Sequence, residues 1–574
     1  MVKQGSVYDR VRRLVKDFLT GKTYKGNIVT HNGQFDLRFV NKWLGETIDV
    51  PGFRDTQILH HLLDERPINN VTAPHGLKRL SSDYFDAVDY AFDWKKFWSK
   101  PLDDRDWQPL YKYLALDLYY TLRLYKKCLK EIREQMPLAV SLYENILCPA
   151  SVALADIESQ GIPVNPDMLI DLESALRQDL EHIEKSLNDL AAEHGYTKKL
   201  NPRSPKQLAD VMFRVMEIAA ITPYTGSTAA NILEDIMFKH SAKMSKHQVR
   251  FIELIMEYRK MSKMMTTYAK PLAEQGKSGR IHAMFNLTGT ATGRLSSQKP
   301  NLQNQPQMAG KSIRRCYEAP AGWAFIKADY SQLELRSAAH QSRDPNMIRA
   351  YLNERDIHTE VASAMFGIKP EEVTTAQRYA AKFVDFGLMY GRTAISIAEG
   401  PELRDYKWTV RQAQKFIDNY LAEFSRLGEW MKELQNSAKT EQELTTPFGR
   451  KRRWPLLVSH IAWRAERQAL NFPVQSFASD ITLNALVHIH RELKARKFRA
   501  RIVAIVHDEI DLVCPGEELE EVCKMLKDIM ENSCPIELLV PLKADVEVGP
   551  NWAEVRSYDP DVDNYVNYLK EPVL

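Results

Sequence analysis

The stretch "AFIKADYSQLELRSAAH", residues 324–340, starts as a strand and ends as a helix. Apolar residues lead up to Asp329, and from Leu333 onward the spacing turns helical. A strand end is a rigid place to hold a carboxylate. A second such place lies in "RIVAIVHDEIDLVC" (501–514), where apolar residues alternate on both sides of His507-Asp508. That pattern predicts a hairpin with its turn at the polar pair. Glu334 follows Asp329 by five positions, and Glu509 follows Asp508 directly. Two carboxylates brought together can hold a pair of Mg²⁺ ions about 4 Å apart, the arrangement used for in-line phosphoryl transfer. Either aspartate alone could equally start a turn, and the spacing leaves open whether the two meet.

A third element is "RYAAKFVDFGLMYG" (378–391). Arg378, Lys382, Phe386 and Tyr390 recur every four residues, which predicts one stripe along a helix. Cations can grip a triphosphate while aromatics stack on a base and its sugar. The embedded Asp-Phe-Gly does not make a kinase, because the chain lacks both the H-R-D-x-x-x-x-N loop and the Gly-rich loop with V-A-I-K.

The wider chain is consistent with a large enzyme. Its 574 residues suffice for roughly four domains at ~150 residues each. With 44% hydrophobic and 27% charged residues it reads as ordinary globular material. No apolar run approaches the ~18–20 residues that cross a membrane, so no membrane partner is expected. Six scattered cysteines form no C-x-x-C pair, which predicts neither zinc nor disulfides and suits a cytoplasmic setting. The net charge is only +3, but "GRKRRWPLLVSHIAWRAER" (449–467) carries six basic side chains against one glutamate, a patch suited to a polyanion. Asn165-Pro166 caps a run with apolar residues at 169, 172, 176, 180, 183, 187 and 190, a long helix with one buried stripe. A second helix is expected from about Phe251 to Glu274, completing an elongated arm. Residues 345–455 read as almost entirely helical.

"DYSQLELR", "RYAAKFVDFGLMYG" and "VHDEI" resemble, in order, motifs A, B and C of family A DNA polymerases, the DNA polymerase I group that includes many phage replicases. "TATGRLSSQKPNLQNQP" (290–306), "TPFGRKRRWP" (446–455), "ERQALNFPVQSFASDI" (466–481) and "VPLKADVEVGPNW" (540–552) resemble further stretches of the same family. The resemblance covers roughly 145–560 and suggests a phage-type enzyme. It implies an α/β and α+β multidomain fold shaped as a right hand. Thumb would span 145–285, palm 286–365 and 460–574, and fingers 366–459.

The resemblance also assigns roles. Asp329 and Asp508 would hold two Mg²⁺ ions (Mn²⁺ being an alternative), with Glu509 as a supporting acid. Arg378 and Lys382 would contact the incoming phosphates of a dNTP, Lys382 also serving as proton donor to pyrophosphate. Phe386 would pack on the sugar, Tyr390 beside the templating base, and His358 against the triphosphate. Glu334 would block a ribose 2′-OH, which argues against a single-subunit RNA polymerase. Arg294, Arg467, Gln475 and His507 would read the minor groove of primer–template DNA, where correct pairs present similar acceptors. Phe386 in place of tyrosine implies discrimination against dideoxynucleotides. Asp385 stands where the family usually has asparagine. The thumb carries no long insertion between "KQLADVMF" and "NILEDI", so a thioredoxin-type processivity factor is not expected.

Residues 1–144 resemble the family's RNase H-like 3′-5′ exonuclease domain, which uses four acids and a tyrosine around two metals. "NGQFD" supplies Asp36, and "YLALD" supplies Tyr113 and Asp117 one helical turn apart. Asp55 reads as structural. The first motif, Asp-x-Glu, is absent from the 31 residues before Asn32. The expectation is an incomplete, silent nuclease; the alternative is one completed by another polypeptide.

Overall fold

A computed structural model describes residues 7–67, 74–306, 311–400, 403, 408–455 and 462–559. At its centre lies a five-stranded antiparallel sheet ordered Arg501–Val506, Glu509–Pro515, Trp323–Tyr330, Ala544–Gly549 and Arg556–Ser557. The expected hairpin is present, and His507 turns it with a left-handed backbone (φ 59°). The central strand alternates inward-facing Ala324, Ile326 and Ala328 with residues on the other face. Helix Leu519–Asn532 packs behind it, and against that helix packs Ala462–Ala495. The latter is 34 residues long and is buried along most of its length.

The arm begins as expected. Asn165 accepts hydrogen bonds from the backbone of Asp167 and Met168 and caps the helix Pro166–Glu193, whose buried residues include Leu169, Leu176, Ile183 and Leu187. The second arm helix starts earlier than Phe251, at Lys246, because Ser245 and Gln248 form a reciprocal capping box there. It continues through a wider turn, Met264–Ala269, into Lys270–Gln275. The arm tip has its own apolar core around Leu187, Met212, Ile236 and Phe251.

The described residues of 345–455 are mainly helical, with a departure. Glu443–Thr445 and Lys451–Arg453 form a small antiparallel hairpin. Its turn requires Gly449 (φ +87°), where a Cβ would stand 2.5 Å from the backbone nitrogen of Ala139. The helices around it share a core built on Met347, Tyr351, Val384, Phe416 and Leu427.

The N-terminal region contributes a two-stranded parallel pair, Ile28–Thr30 with Phe53–Asp55, flanked by helices Gly33–Leu44 and Gln108–Gln135. It is not separately cored. One apolar cluster runs from Leu37 and Leu59 through Tyr143 and Leu154 to Ile326 and Phe477. Within it, Pro137–Gln160 is 24 residues long and apolar enough in composition to cross a membrane, contrary to the expectation from apolar runs. Its most apolar window is 67% buried inside the protein, as in a core helix.

The basic run 449–467 is not a uniform cationic patch. Arg450 is buried in an ion pair with Asp480 at 2.7 Å, and Lys451 pairs with Glu443 at 2.7 Å. Arg453 and Arg452 both reach Glu65 of the N-terminal region, at 3.0 and 3.5 Å. Four of the six cations therefore join parts of the protein to each other. Arg464 and Arg467 remain exposed on the long helix.

Candidate active site

Strand pairing brings the two aspartates together. Asp329 lies opposite Glu509 in the antiparallel register, so Asp508 at the hairpin turn stands beside it. The backbone N–H of Tyr330 donates to the carbonyl of Asp508 at 3.3 Å. Burial, then Glu509, raise the Asp329 carboxyl to about 6, although Lys327 opposes the shift. Burial, then Glu334, raise Asp508 to about 7, with Arg294 opposing and Asp329 adding to the rise. Buried carboxyls raised further by neighbouring acids are under-compensated, and a divalent cation would supply the missing charge. Among the described residues, no three His, Cys, Asp or Glu side chains form a closed metal cage. Asp329 and Asp508 offer hard carboxylate oxygens of the kind that bind a divalent metal ion. The residues present fit that ion.

A second group forms over this pair. The carboxylate of Glu334 accepts from Arg294 on one oxygen and from the Tyr390 hydroxyl on the other. Gln475 also hydrogen-bonds Tyr390. Arg294, His507 and Asp508 line one crevice with Gln303 and Thr482. Residues as far apart as Arg294 and Asp508 therefore converge, and the helices Leu333–Ser342 and Ala462–Ala495 lie side by side.

The helix carrying motif B spans Thr375–Met389, so Tyr390 lies just past its end rather than on the expected stripe. The turn that follows, closed by Gly391 (φ 70°), directs Tyr390 towards Glu334. Lys382 is exposed on the helix. Arg378 forms an ion pair with Asp356, which also accepts from Gln332 at 3.2 Å and so ties motif B to motif A. Burial alone would raise Asp356, but the bonds from Arg378 and Thr359 bring it down to about 2. The side chain of Phe386 lies outside the described residues.

His358 does not stand where the resemblance puts it. Its side chain is 2% exposed, with Nδ1 3.3 Å from Asp385 Oδ2, so in this conformation it is packed inside the helical core and not presented to a triphosphate. Asp385 accepts in addition from the Tyr420 hydroxyl at 2.6 Å. Those two partners account for a carboxylate inside that helix.

Sequence reading missed Lys327. Its ammonium lies 3.3 Å from Glu509 and 2.9 Å from Glu547. It missed Asp511 too, a fully buried acid raised well above the usual range by burial and then by Glu509. Alternation along β-strands marks which residues share a face, but not which strands are neighbours.

In the N-terminal region, Asp36 sits in the first turn of Gly33–Leu44, and the surrounding protein and Asp55 raise its carboxyl. Asp55 is a cap: it accepts from Gln57 and Ile58, and from Asn32 and Gly33 at 3.1 and 2.6 Å. Tyr113 and Asp117 share the helix Gln108–Gln135. Burial, then Asp117, push the Tyr113 phenol up to about 12. Lys78 forms an ion pair with Asp117, its ammonium 3.7 Å from the ring centre of Tyr90 and 4.1 Å from that of Tyr113.

Residues 166–554 match the family model described as DNA polymerase family A, and residues 8–133 match a 3′-5′ exonuclease family. The chain is 36% identical over 445 residues to the thermostable DNA polymerase I of Thermus filiformis, covering 76% of this chain and 50% of that protein. It is 35% identical over 543 residues to DNA polymerase I of Chloroflexus aurantiacus, covering 92% of this chain and 54% of that protein. The chain spans about half the length of the curated relatives it matches. These relatives are bacterial and lend no support to a phage affiliation. Among solved structures, the POL domain of Pol1 from M. smegmatis, in complex with DNA primer-template and dNTP, superimposes with a TM-score of 0.78 at 26% identity. That match covers 95% of this chain and 89% of the other. The chain belongs to DNA polymerase family A.

Proposed function

We propose that this chain is a template-directed DNA polymerase that extends a primer 3′-OH with deoxynucleoside triphosphates. The observation that carries the reading is the Asp329–Asp508 pair at the edge of the Arg294–Glu334–Tyr390 group. The chemistry that two Mg²⁺ ions supply at such a pair is acidification of the primer hydroxyl and neutralisation of triphosphate charge. Mn²⁺ suits the same oxygen donors. Asp329 and Asp508 would hold the ions, and Glu509 would support them from the adjacent position. Lys382, exposed on its helix, binds the triphosphate and returns a proton to the leaving pyrophosphate. Arg378 exchanges Asp356 for a phosphate. Glu334, fixed from both sides, fills the space a ribose 2′-OH needs. Arg294, Arg467, Gln475 and His507 face the primer–template minor groove.

Primer extension with dNTPs or rNTPs, with Asp329→Ala as control, tests this reading. Extension with dNTPs alone, lost in the variant, supports it. Equal use of rNTPs would instead indicate an RNA polymerase, and binding of duplex without extension an idle duplex-binding protein.

The exonuclease-like domain reads as silent in this chain. Asp117 already has Lys78 as its cation. One observation favours the second reading, in which further strands complete the site. Val7, Tyr8, Val11, Leu14 and Phe18 of the helix Val7–Leu19 are all exposed, and among the described residues Ile28–Thr30 pairs on one side only. Incubating a 3′-labelled single strand with Mg²⁺ and no dNTP decides: shortening that Asp36→Ala abolishes overturns the silent reading.

A further inference from the structure

The palm sheet places an unusual set of charges on one face. Antiparallel register sets Asp329 opposite Glu509 on one side and Asp545 on the other. Two residues earlier on the same strand, Lys327 lies opposite Asp511 and Glu547. Directly opposed residues share a face, and so do residues two apart along a strand. Two adjacent rows therefore hold five carboxyls and one ammonium. Lys327 Nζ is 3.3 Å from Glu509 Oε2 and 2.9 Å from Glu547 Oε2, and its side chain is only 18% exposed. Glu509 is fixed further by the Trp552 indole N–H at 3.1 Å. The ammonium thus sits under the Asp329 end of the candidate metal site and joins the two strands flanking the central one.

We propose that Lys327 is a resident cation of that site. It positions Glu509 and carries part of the charge compensation that divalent ions would otherwise carry alone, and so sets how tightly those ions are held. The inference rests on the reading that Asp329 and Asp508 hold divalent ions. Its logic is electrostatic: a fixed positive charge close behind a cation site weakens the site, and removing one acid from the same face weakens it as well. The two kinds of substitution at one cluster must therefore move metal affinity in opposite directions. A side chain that served only to hold the strands together would have no such sign.

The experiment measures Mn²⁺ binding to the full chain by electron paramagnetic resonance, alongside thermal melts with and without Mg²⁺. Lys327→Met should bind Mn²⁺ at least about threefold more tightly than the wild type, and Mg²⁺ should raise its Tm by more. Glu547→Gln should bind Mn²⁺ more weakly, with a smaller Mg²⁺ effect on Tm, and Lys327→Arg should stay near the wild type. Unchanged or weaker Mn²⁺ binding in Lys327→Met overturns the inference. Should that variant not fold, unchanged or tighter binding in Glu547→Gln overturns it as well. If wild type and Asp329→Ala bind the same number of Mn²⁺ ions, it is the underlying metal reading that fails.

Discussion

The Tyr390 hydroxyl donates to the same Glu334 carboxylate that Arg294 holds from the other side. Glu334 is 8% exposed and is fixed by partners from two distant parts of the chain. A carboxylate held in this way cannot swing aside to admit a larger sugar. Glu334→Ala should therefore increase use of rNTPs relative to dNTPs by about 10–200-fold, the range one small steric group commands. Single-nucleotide incorporation measures the ratio, and an unchanged ratio removes Glu334 from sugar selection.

Phe386 is predicted to favour deoxy over dideoxy substrates because a phenyl ring offers no hydroxyl to substitute for the missing 3′-OH. Phe386→Tyr should relax that preference. Chain termination at fixed ddNTP:dNTP ratios is the measurement, and equal termination by both proteins would refute the assignment.

Arg450 and Asp480 are 3% and 0% exposed in their side chains and lie 2.7 Å apart. Removing one partner leaves the other charge buried and unpaired. Asp480→Ala should cost about 3–5 kcal/mol of stability, read as a lowered urea midpoint. Because Arg450 also packs against Gly293, next to Arg294, DNA affinity should fall in the same variant. A loss below about 1 kcal/mol, the range of surface pairs, would mean the pair is effectively solvated.

The acid pair gives a pH dependence of defined sign. Asp329 and Asp508 have folded pKa values of about 6 and about 7, above the ordinary carboxyl value of 3.8. A carboxyl raised by folding binds its proton more tightly in the folded state. Its contribution is therefore greatest at low pH and is lost as pH rises through the folded value. Metal-free protein should lose stability from this pair between about pH 4 and pH 7, and Mg²⁺ should raise the Tm more at pH 8 than at pH 5. Melts in EDTA and in Mg²⁺ test this, and an equal Mg²⁺ effect at both pH values sinks the assignment.

Much of this protein follows from short-range pattern. Alternation around His507-Asp508 is enough for a hairpin, since strand side chains point to opposite faces and the turn takes the polar pair. Asn165, with apolar residues every three or four positions behind it, is enough for the long arm helix. Where local signals failed, a local rule was cut short: the four-residue stripe in motif B ends at Met389, and Gly391 turns Tyr390 towards Glu334.

Only tertiary structure decided the rest. The basic run at 450–453 looks like a surface for a polyanion until Asp480, Glu443 and Glu65 meet it from other segments. His358 looks like a ligand-facing side chain until packing buries it against Asp385. Lys327 carries no signal at all in the chain, because its meaning lies in strand register with Glu509 on one side and Glu547 on the other. Sequence by itself determined which carboxylates sit at strand ends, a property of neighbours along the chain. Which charges share a face, and which cations are already spoken for, depends on partners as near as 8 residues (Lys451 and Glu443) and as far as 388 (Arg453 and Glu65), and only the packed fold brings them together.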